Sequence, residues 1–161
     1  MYKFKLTPQK TQRKNTEHVK ICTDIPSPQT IEILKEVLEN EPSSMNNQLP
    51  IVWDRAIDYQ IFDKSGNCWI DFTSTIFVAN AGHSNPEVCA AIKKTVDSQL
   101  LNSYYYPTKI RQEFVHELLK CCPTNLNKVF LLTTGSESTE AAIKISKKYG
   151  KKKGKKYIIS Y

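Results

Sequence analysis

The sequence predicts an α/β fold, and three patterns carry that prediction. A short apolar run, Val129-Phe130-Leu131-Leu132, leads through Thr133 and Thr134 to Gly135 and then into a helix-forming stretch, so a strand hands over to a helix at a glycine turn. Upstream, two segments repeat apolar residues at helical spacing: Val88, Ala91, Ile92, Val96 and Leu100, then Ile110, Phe114, Leu118 and Cys121. Downstream, Tyr157-Ile-Ile-Ser-Tyr161 reads as a further strand. Strand–helix–strand order predicts a parallel sheet with helices packed on it.

Taken in order, residues 1–28 read as an irregular arm, since Pro26 and Pro28 interrupt any helix. Thr30 to Asn40 places Ile31, Leu34, Val37 and Leu38 on one helical face. Glu41 to Pro50 is a loop rich in Pro, Ser and Asn. Trp53 to Phe72 alternates as a strand pair turned at Lys64-Ser65-Gly66-Asn67. Ile76 to Ala79 reads as another strand or an extended segment beside a site. Asn85 is an N-cap with Pro86 at the first helical position, opening a helix to about Leu101 that buries its apolar positions. A second helix covers Lys109 to Cys122, and strand 129–133 precedes a third over 137–149. No internal repeat is visible.

Composition narrows the function classes. At 161 residues, 40% hydrophobic and 24% charged, the chain is that of a soluble globular protein. No apolar run is long enough to span a membrane. The lysine-rich stretch from Met1 to Lys20 has no apolar centre, so it reads as a leader or wrapping arm rather than a secretory signal. Cys22, Cys68, Cys89, Cys121 and Cys122 are odd in number, with no C-x-x-C pair or zinc-like histidine spacing. They read as reduced thiols in a cytoplasmic setting, and no metal site is expected. The net charge of +7 gathers at the ends, above all in the lysines from Lys144 to Lys156. No arginine and a single aromatic residue, Tyr149, lie within that cluster, too few for a base-stacking surface, so nucleic acid is not the expected partner.

The chemistry concentrates at the glycine turn. The first N–H groups of a helix lack internal partners, and the helix dipole adds positive character there, which suits a phosphate. Thr134 and Glu137 fit the S/T-x-x-E capping box. The Walker spacing is absent after Gly135, Gly150 to Lys155 has one residue too few between its glycines, and G-x-G-x-x-G does not occur. The candidate phosphate ligands are Thr134, Gly135 and Ser136. For each the plainer role stays open: Thr134 as N-cap alone, Gly135 as turn former, Ser136 as a capping hydroxyl. Glu137 reads as a capping residue, since a helix N-terminus favours its ionised form.

Thr134-Gly135-Ser136-Glu137 with Thr139-Glu140-Ala141-Ala142-Ile143-Lys144 resembles the S-G-S-E-A-x-E-A-A-x-K segment of class III pyridoxal-phosphate aminotransferases. Asp63-Lys-Ser-Gly66-Asn-Cys-Trp-Ile-Asp71-Phe72 is similar to the family's D-x-x-G-x-x-x-x-D-F hairpin, and Asn80-Ala-Gly82-His83-Ser-Asn-Pro86 to its N-x-G-H-x-x-P. The resemblance covers roughly residues 49–161. Two positions depart: Thr75 stands where the family usually has Gly, and Ser138 where it has Ala.

The resemblance implies the N-terminal part of the fold type I architecture, with a small-domain segment over 29–85 and an incomplete large, mostly parallel-sheet domain over 86–161. It implies pyridoxal 5'-phosphate as cofactor, an amino donor that is an amine or ω-amino acid, a 2-oxo acid acceptor and a homodimer. Ile76 matches a family position that lines the substrate pocket, where its aliphatic chain gives no ion pair and suits a plain methylene chain; a core isoleucine is the alternative. Tyr105, between Tyr104 and Tyr106 ahead of Pro107, is a second pocket candidate. His83 is expected to order the turn before a helix rather than to move protons. The family's Schiff-base lysine lies far downstream of the matched motifs, so no catalytic residue is assigned in this chain and the 161 residues alone are expected to be inactive. A non-catalytic phosphate-ligand-binding chain is the competing expectation.

Overall fold

The computed structural model describes residues 4–45 and 48–159, and the chain divides into two compact units, 1–101 and 102–161. The first is built on a five-stranded antiparallel sheet with strands β1 (Lys14–Asn15), β2 (Lys20–Ile21), β3 (Arg55–Ile57), β4 (Gln60–Phe62) and β5 (Cys68–Ile70) in the order β1-β2-β5-β4-β3. Around it lie helix α1 (Ile31–Asn40), a single helical turn α2 (Ser74–Phe77) and helix α3 (Pro86–Asp97). The second unit carries α4 (Lys109–Lys120) and α5 (Gly135–Lys151).

Two tight reversals make the central sheet. Ile57 pairs with Gln60 across a turn in which Asp58 takes φ +51°, and Ile61 pairs with Trp69 across the longer Asp63–Asn67 loop. The sequence pattern anticipated the second reversal and missed the first, because Asp58-Tyr59 carries no glycine to announce it. Gly66 has φ +85°, a conformation that makes glycine the natural occupant of that loop.

Part of the expected irregular arm is regular. β1 and β2 form a short hairpin, and β2 joins the sheet at Lys20 opposite Cys68. The join is welded by Asn67, which is fully buried. Its Oδ1 accepts from the N–H groups of Cys22 at 2.8 Å and Thr23 at 3.2 Å. Its Nδ2 donates to Thr23 Oγ1 at 2.7 Å and Asp63 Oδ2 at 2.8 Å. An Asn offers one acceptor with two lone pairs and two donors, and here all are used. Among the described residues the buried apolar side chains are few, Ile61 and Cys68 with Pro26 beside them, so the centre of this unit is half polar.

Several helix boundaries follow local chemistry. Asn85 Oδ1 accepts from the N–H groups of Glu87 and Val88 with Pro86 at the first position, which starts α3 as expected. The helix stops at Asp97 rather than near Leu101, because Ser98 caps it and Gln99 turns to φ +59°. Thr108 opens α4 by accepting from Arg111 N–H at 3.3 Å.

Four expectations are corrected. Residues 129–133 run without a strand partner, and so do 157–159; Ser160 and Tyr161 lie outside the described residues. A strand exists only through its neighbour's ladder, and no second strand faces either segment among the described residues, so the expected parallel sheet is not formed and the sheet present is antiparallel. Ile76 to Ala79 is not extended either, since Ile76 and Phe77 belong to α2. Finally, the apolar stripes of α3 and α4 are open: Ile92 is 59% exposed and Phe114 53%. Periodicity identified the faces correctly, but no packed layer covers them.

Candidate functional site

The segment Thr133 to Ser138 shows how the helix opening is built. Thr134 is the N-cap of α5, and the capping box is complete. Thr134 Oγ1 accepts from Glu137 N–H at 3.2 Å. In return Glu137 Oε2 accepts from the N–H groups of Thr133 at 3.1 Å and Thr134 at 3.2 Å. The Glu137 carboxylate is thereby committed to the cap, as its position in the sequence suggested. Ser138 N–H makes the bond to Thr134 C=O that starts the helix, at 3.0 Å.

This arrangement leaves a definite residue of free donors. The N–H groups of Gly135 and Ser136 and the Ser136 hydroxyl have no partner among the described residues. A Cβ added at Gly135 would meet nothing within 4 Å, and the residue does not sit at positive φ. Neither backbone strain nor crowding within the chain therefore requires glycine at this position. The two free N–H groups stand at the positive end of a 17-residue helix. A phosphate fits that donor set.

The two pocket candidates sit elsewhere, each described within its own unit. Ile76 lies in α2 with φ +58° and ψ +56°, and is 76% exposed. All four residues of α2 have positive φ, from +46° at Ser74 to +68° at Phe77. Left-handed backbone costs roughly 1–2 kcal/mol per non-glycine residue. Such strain persists only where neighbours over-determine it, and it gathers at functional segments. Tyr105 stands edge-on to Tyr106, with ring centroids 5.5 Å apart, and lines an open groove with Thr108, Arg111 and His116 of the second unit. Thr134, Gly135 and Ser136 are consecutive residues at the opening of α5.

The pair that the sequence underrated is Asp71 and His83. The side chains are 3% and 12% exposed, and His83 Nε2–H donates to Asp71 Oδ2 at 2.7 Å. Burial pushes the Asp71 carboxyl up, but the hydrogen bonds from Thr73 and His83, with the His83 charge, outweigh it and bring the group down to about 2. His83 does order the chain ahead of α3: its N–H donates to Asp58 C=O at 2.7 Å and its C=O accepts from Asp58 N–H at 2.8 Å. Gly82 just before it has φ +84°, and an added Cβ there would lie 2.8 Å from Asp58 Oδ1. The available signal for Asp71 was its sequence, Asp followed by Phe-Thr-Ser, which invites an Asx turn.

The opening of α5, the hairpin and the Gly82-His83 turn fall inside one match to known proteins. The family model for aminotransferase class-III matches residues 42–161. The chain belongs to the class III aminotransferases. Acetylornithine aminotransferase of Aquifex aeolicus is 38% identical over 113 residues, covering 69% of this chain and 30% of that protein. A probable 4-aminobutyrate aminotransferase of Bacillus subtilis is 34% identical over 116 residues, 70% of this chain and 26% of its own. A putative [LysW]-aminoadipate semialdehyde/glutamate semialdehyde transaminase of Pyrobaculum aerophilum is 36% identical over 92 residues, 57% and 24% respectively. The chain thus spans about 30% or less of the length of these curated relatives.

Class III aminotransferases depend on pyridoxal 5'-phosphate, and the free donors at Gly135 and Ser136 suit the phosphate of that cofactor. The mixture of an antiparallel sheet with several helices is consistent with a fragment of the fold type I aminotransferase domain. Among the described residues no helix is long and apolar enough to cross a membrane.

Proposed function

We propose that the protein moves an amino group from an amine or ω-amino acid, with 4-aminobutyrate-like chemistry, to a 2-oxo acid, and that Thr134, Gly135 and Ser136 hold the phosphate of its pyridoxal 5'-phosphate. The observation that carries this reading is the pair of unpartnered N–H groups at Gly135 and Ser136 at the N-terminus of α5. When bound, the cofactor supplies an electron sink for the carbon that bears the amino group. The chain's own residues bind and orient it. Gly135 and Ser136 donate backbone N–H groups, the Ser136 hydroxyl adds a third donor, and the Thr134 hydroxyl keeps its proton while accepting from Glu137. Glu137 remains in the cap and moves no proton.

Ile76 and Tyr105 are each proposed as a substrate-pocket residue. An aliphatic side chain at position 76 offers an extended methylene chain contact without competing for its charge. The names of the Aquifex aeolicus and Bacillus subtilis relatives support a donor of that kind. Residues 29–85 are proposed as a small-domain segment and 86–161 as the opening of the large cofactor domain, with 1–28 as an arm. A homodimer in the cytoplasm completes the reading; the five cysteines, none in a disulfide, support the reducing compartment.

The same free donors also support a narrower reading, a phosphate-ligand-binding chain without turnover. Titrating the isotope-labelled 161-residue chain with pyridoxal 5'-phosphate, then with unphosphorylated pyridoxal, tests what the two share. The amides of Gly135 and Ser136 are expected to shift with the phosphate ester and not with pyridoxal. Equal shifts with both, or shifts elsewhere alone, overturn the phosphate assignment. The 161 residues alone are expected to give no amino transfer from 4-aminobutyrate to 2-oxoglutarate, and turnover by them would overturn that expectation.

A further inference from the structure

The phosphate cup leaves unexplained a closed knot of hydrogen bonds between residues 58 and 84. Asp71 Oδ1 accepts from Thr73 N–H at 2.8 Å, Thr73 Oγ1–H at 2.7 Å and Ser74 N–H at 3.1 Å, while Oδ2 accepts from His83 at 2.7 Å. His83 is itself held. Its backbone is paired both ways with Asp58, its ring meets Trp53 edge-on at 5.8 Å, and the adjacent Ser84 hydroxyl donates to Ala56 C=O at 2.8 Å. The chain from β3 through His83 to Asp71 is therefore one mechanically continuous support.

What that support grips is the entrance to α2. Asp71 holds Thr73 and Ser74, and the left-handed residues begin at Ser74. Thr75 and Ile76 are β-branched, the residue class that resists this conformation most. The turn's own bonds are short-range: Phe77 N–H to Thr73 C=O, and Val78 and Ala79 N–H to Ser74 C=O. They share their acceptors with the residues Asp71 clamps. Thr75, Ile76 and Phe77 are exposed, so packing does not fix these three.

We propose that Asp71 and His83 are positioning residues, which lock Ser74–Phe77 in its left-handed turn and so set the direction in which Ile76 is presented. Its meaning for substrate rests on the reading of Ile76 as pocket wall. The lock itself is independent of any ligand. Loss of the carboxylate frees the turn to return to ordinary backbone while the sheet beneath it stays paired.

Amide hydrogen exchange on the labelled 161-residue chain tests the lock. In Asp71→Asn, exchange at Phe77, Val78 and Ala79 is expected to rise about tenfold or more, the size of a lost charge-assisted hydrogen bond. Exchange at Asp54 and Asp63, whose N–H groups bond within the sheet to Phe62 and Asn67, is expected to stay unchanged. His83→Ala follows Asp71→Asn, whereas His83→Gln, which keeps an N–H donor, returns most of the protection. If Asp71→Asn does not fold, the two His83 variants decide the question alone. Unchanged exchange at 77–79 overturns the proposal, and so does an equal rise at every amide, which marks a general loss of stability. Because no ligand enters the measurement, either result leaves the phosphate cup to be judged by its own titration.

Discussion

Replacing Gly135 with leucine separates fold from ligand at a single position. The added side chain starts into space where a Cβ meets nothing within 4 Å, and Gly135 is not at positive φ. The helix therefore loses no contact, and exchanging glycine for a good helix former gains up to about 1 kcal/mol at a helical position. A phosphate over the same spot loses room and at least one N–H contact. A hydrogen bond to a charged group is worth about 1.5–3 kcal/mol, or roughly a 10- to 150-fold weaker dissociation constant. Pyridoxal 5'-phosphate binding, followed by absorbance or by the phosphorus resonance, is expected to weaken by that factor in Gly135→Leu while the urea midpoint holds or rises. Unchanged binding with unchanged stability refutes the cup. A fall in stability refutes the claim that Gly135 is free of structural duty.

Other expectations follow from the strained and buried groups. Asp71 has a folded value of about 2, below the usual unfolded value near 3.9, so its contribution is full above about pH 4 and is lost as pH falls through 2. The shift corresponds to about 2–3 kcal/mol; the stability gap between the native chain and Asp71→Asn, measured by urea denaturation, should narrow as pH falls from 5 toward 2. Thr75, at φ +53°, stands where the family usually has glycine, so Thr75→Gly is expected to stabilise the chain by about 1 kcal/mol in the same assay. A loss of that size would show that the threonine side chain is needed there. Burial raises the Cys68 thiol despite the opposing Arg55 charge, so Cys68 should be the last of these to react with a thiol reagent at pH 8, after exposed Cys22 and Cys121. Early labelling of Cys68 would mean that β5 opens readily.

What the sequence made legible was mostly what is decided within a few residues. The N-caps at Asn85 and Thr134, the capping box with Glu137 and the Gly66 loop each depend on side chains two to four positions apart, and all formed as read. Features decided by distant partners were hidden. Asn67 looks like an ordinary turn asparagine until Cys22 and Thr23 arrive from 45 and 44 residues away. The run Val129 to Leu132 has strand composition, but pairing is a property of two segments, and none faces it. At α2 the local signal pointed the wrong way, since Thr75 and Ile76 favour extended backbone and the Asp71 knot overrides them. At the candidate site, Thr134, Gly135 and Ser136 were legible as a motif, while the support beneath Ile76 was not.

The Thr134–Glu137 box has a consequence for how such a protein is assembled. All its bonds lie between residues four apart or closer, so the anion seat needs no distant strand, domain or second copy to take shape. A peptide of some twenty residues from this region already holds the instructions for it, within the length at which helices become marginally stable by themselves. During synthesis the seat can form as soon as α5 leaves the ribosome, without waiting for a tertiary partner. In the proposed cofactor role, the seat is then a landing place whose shape owes nothing to tertiary contacts.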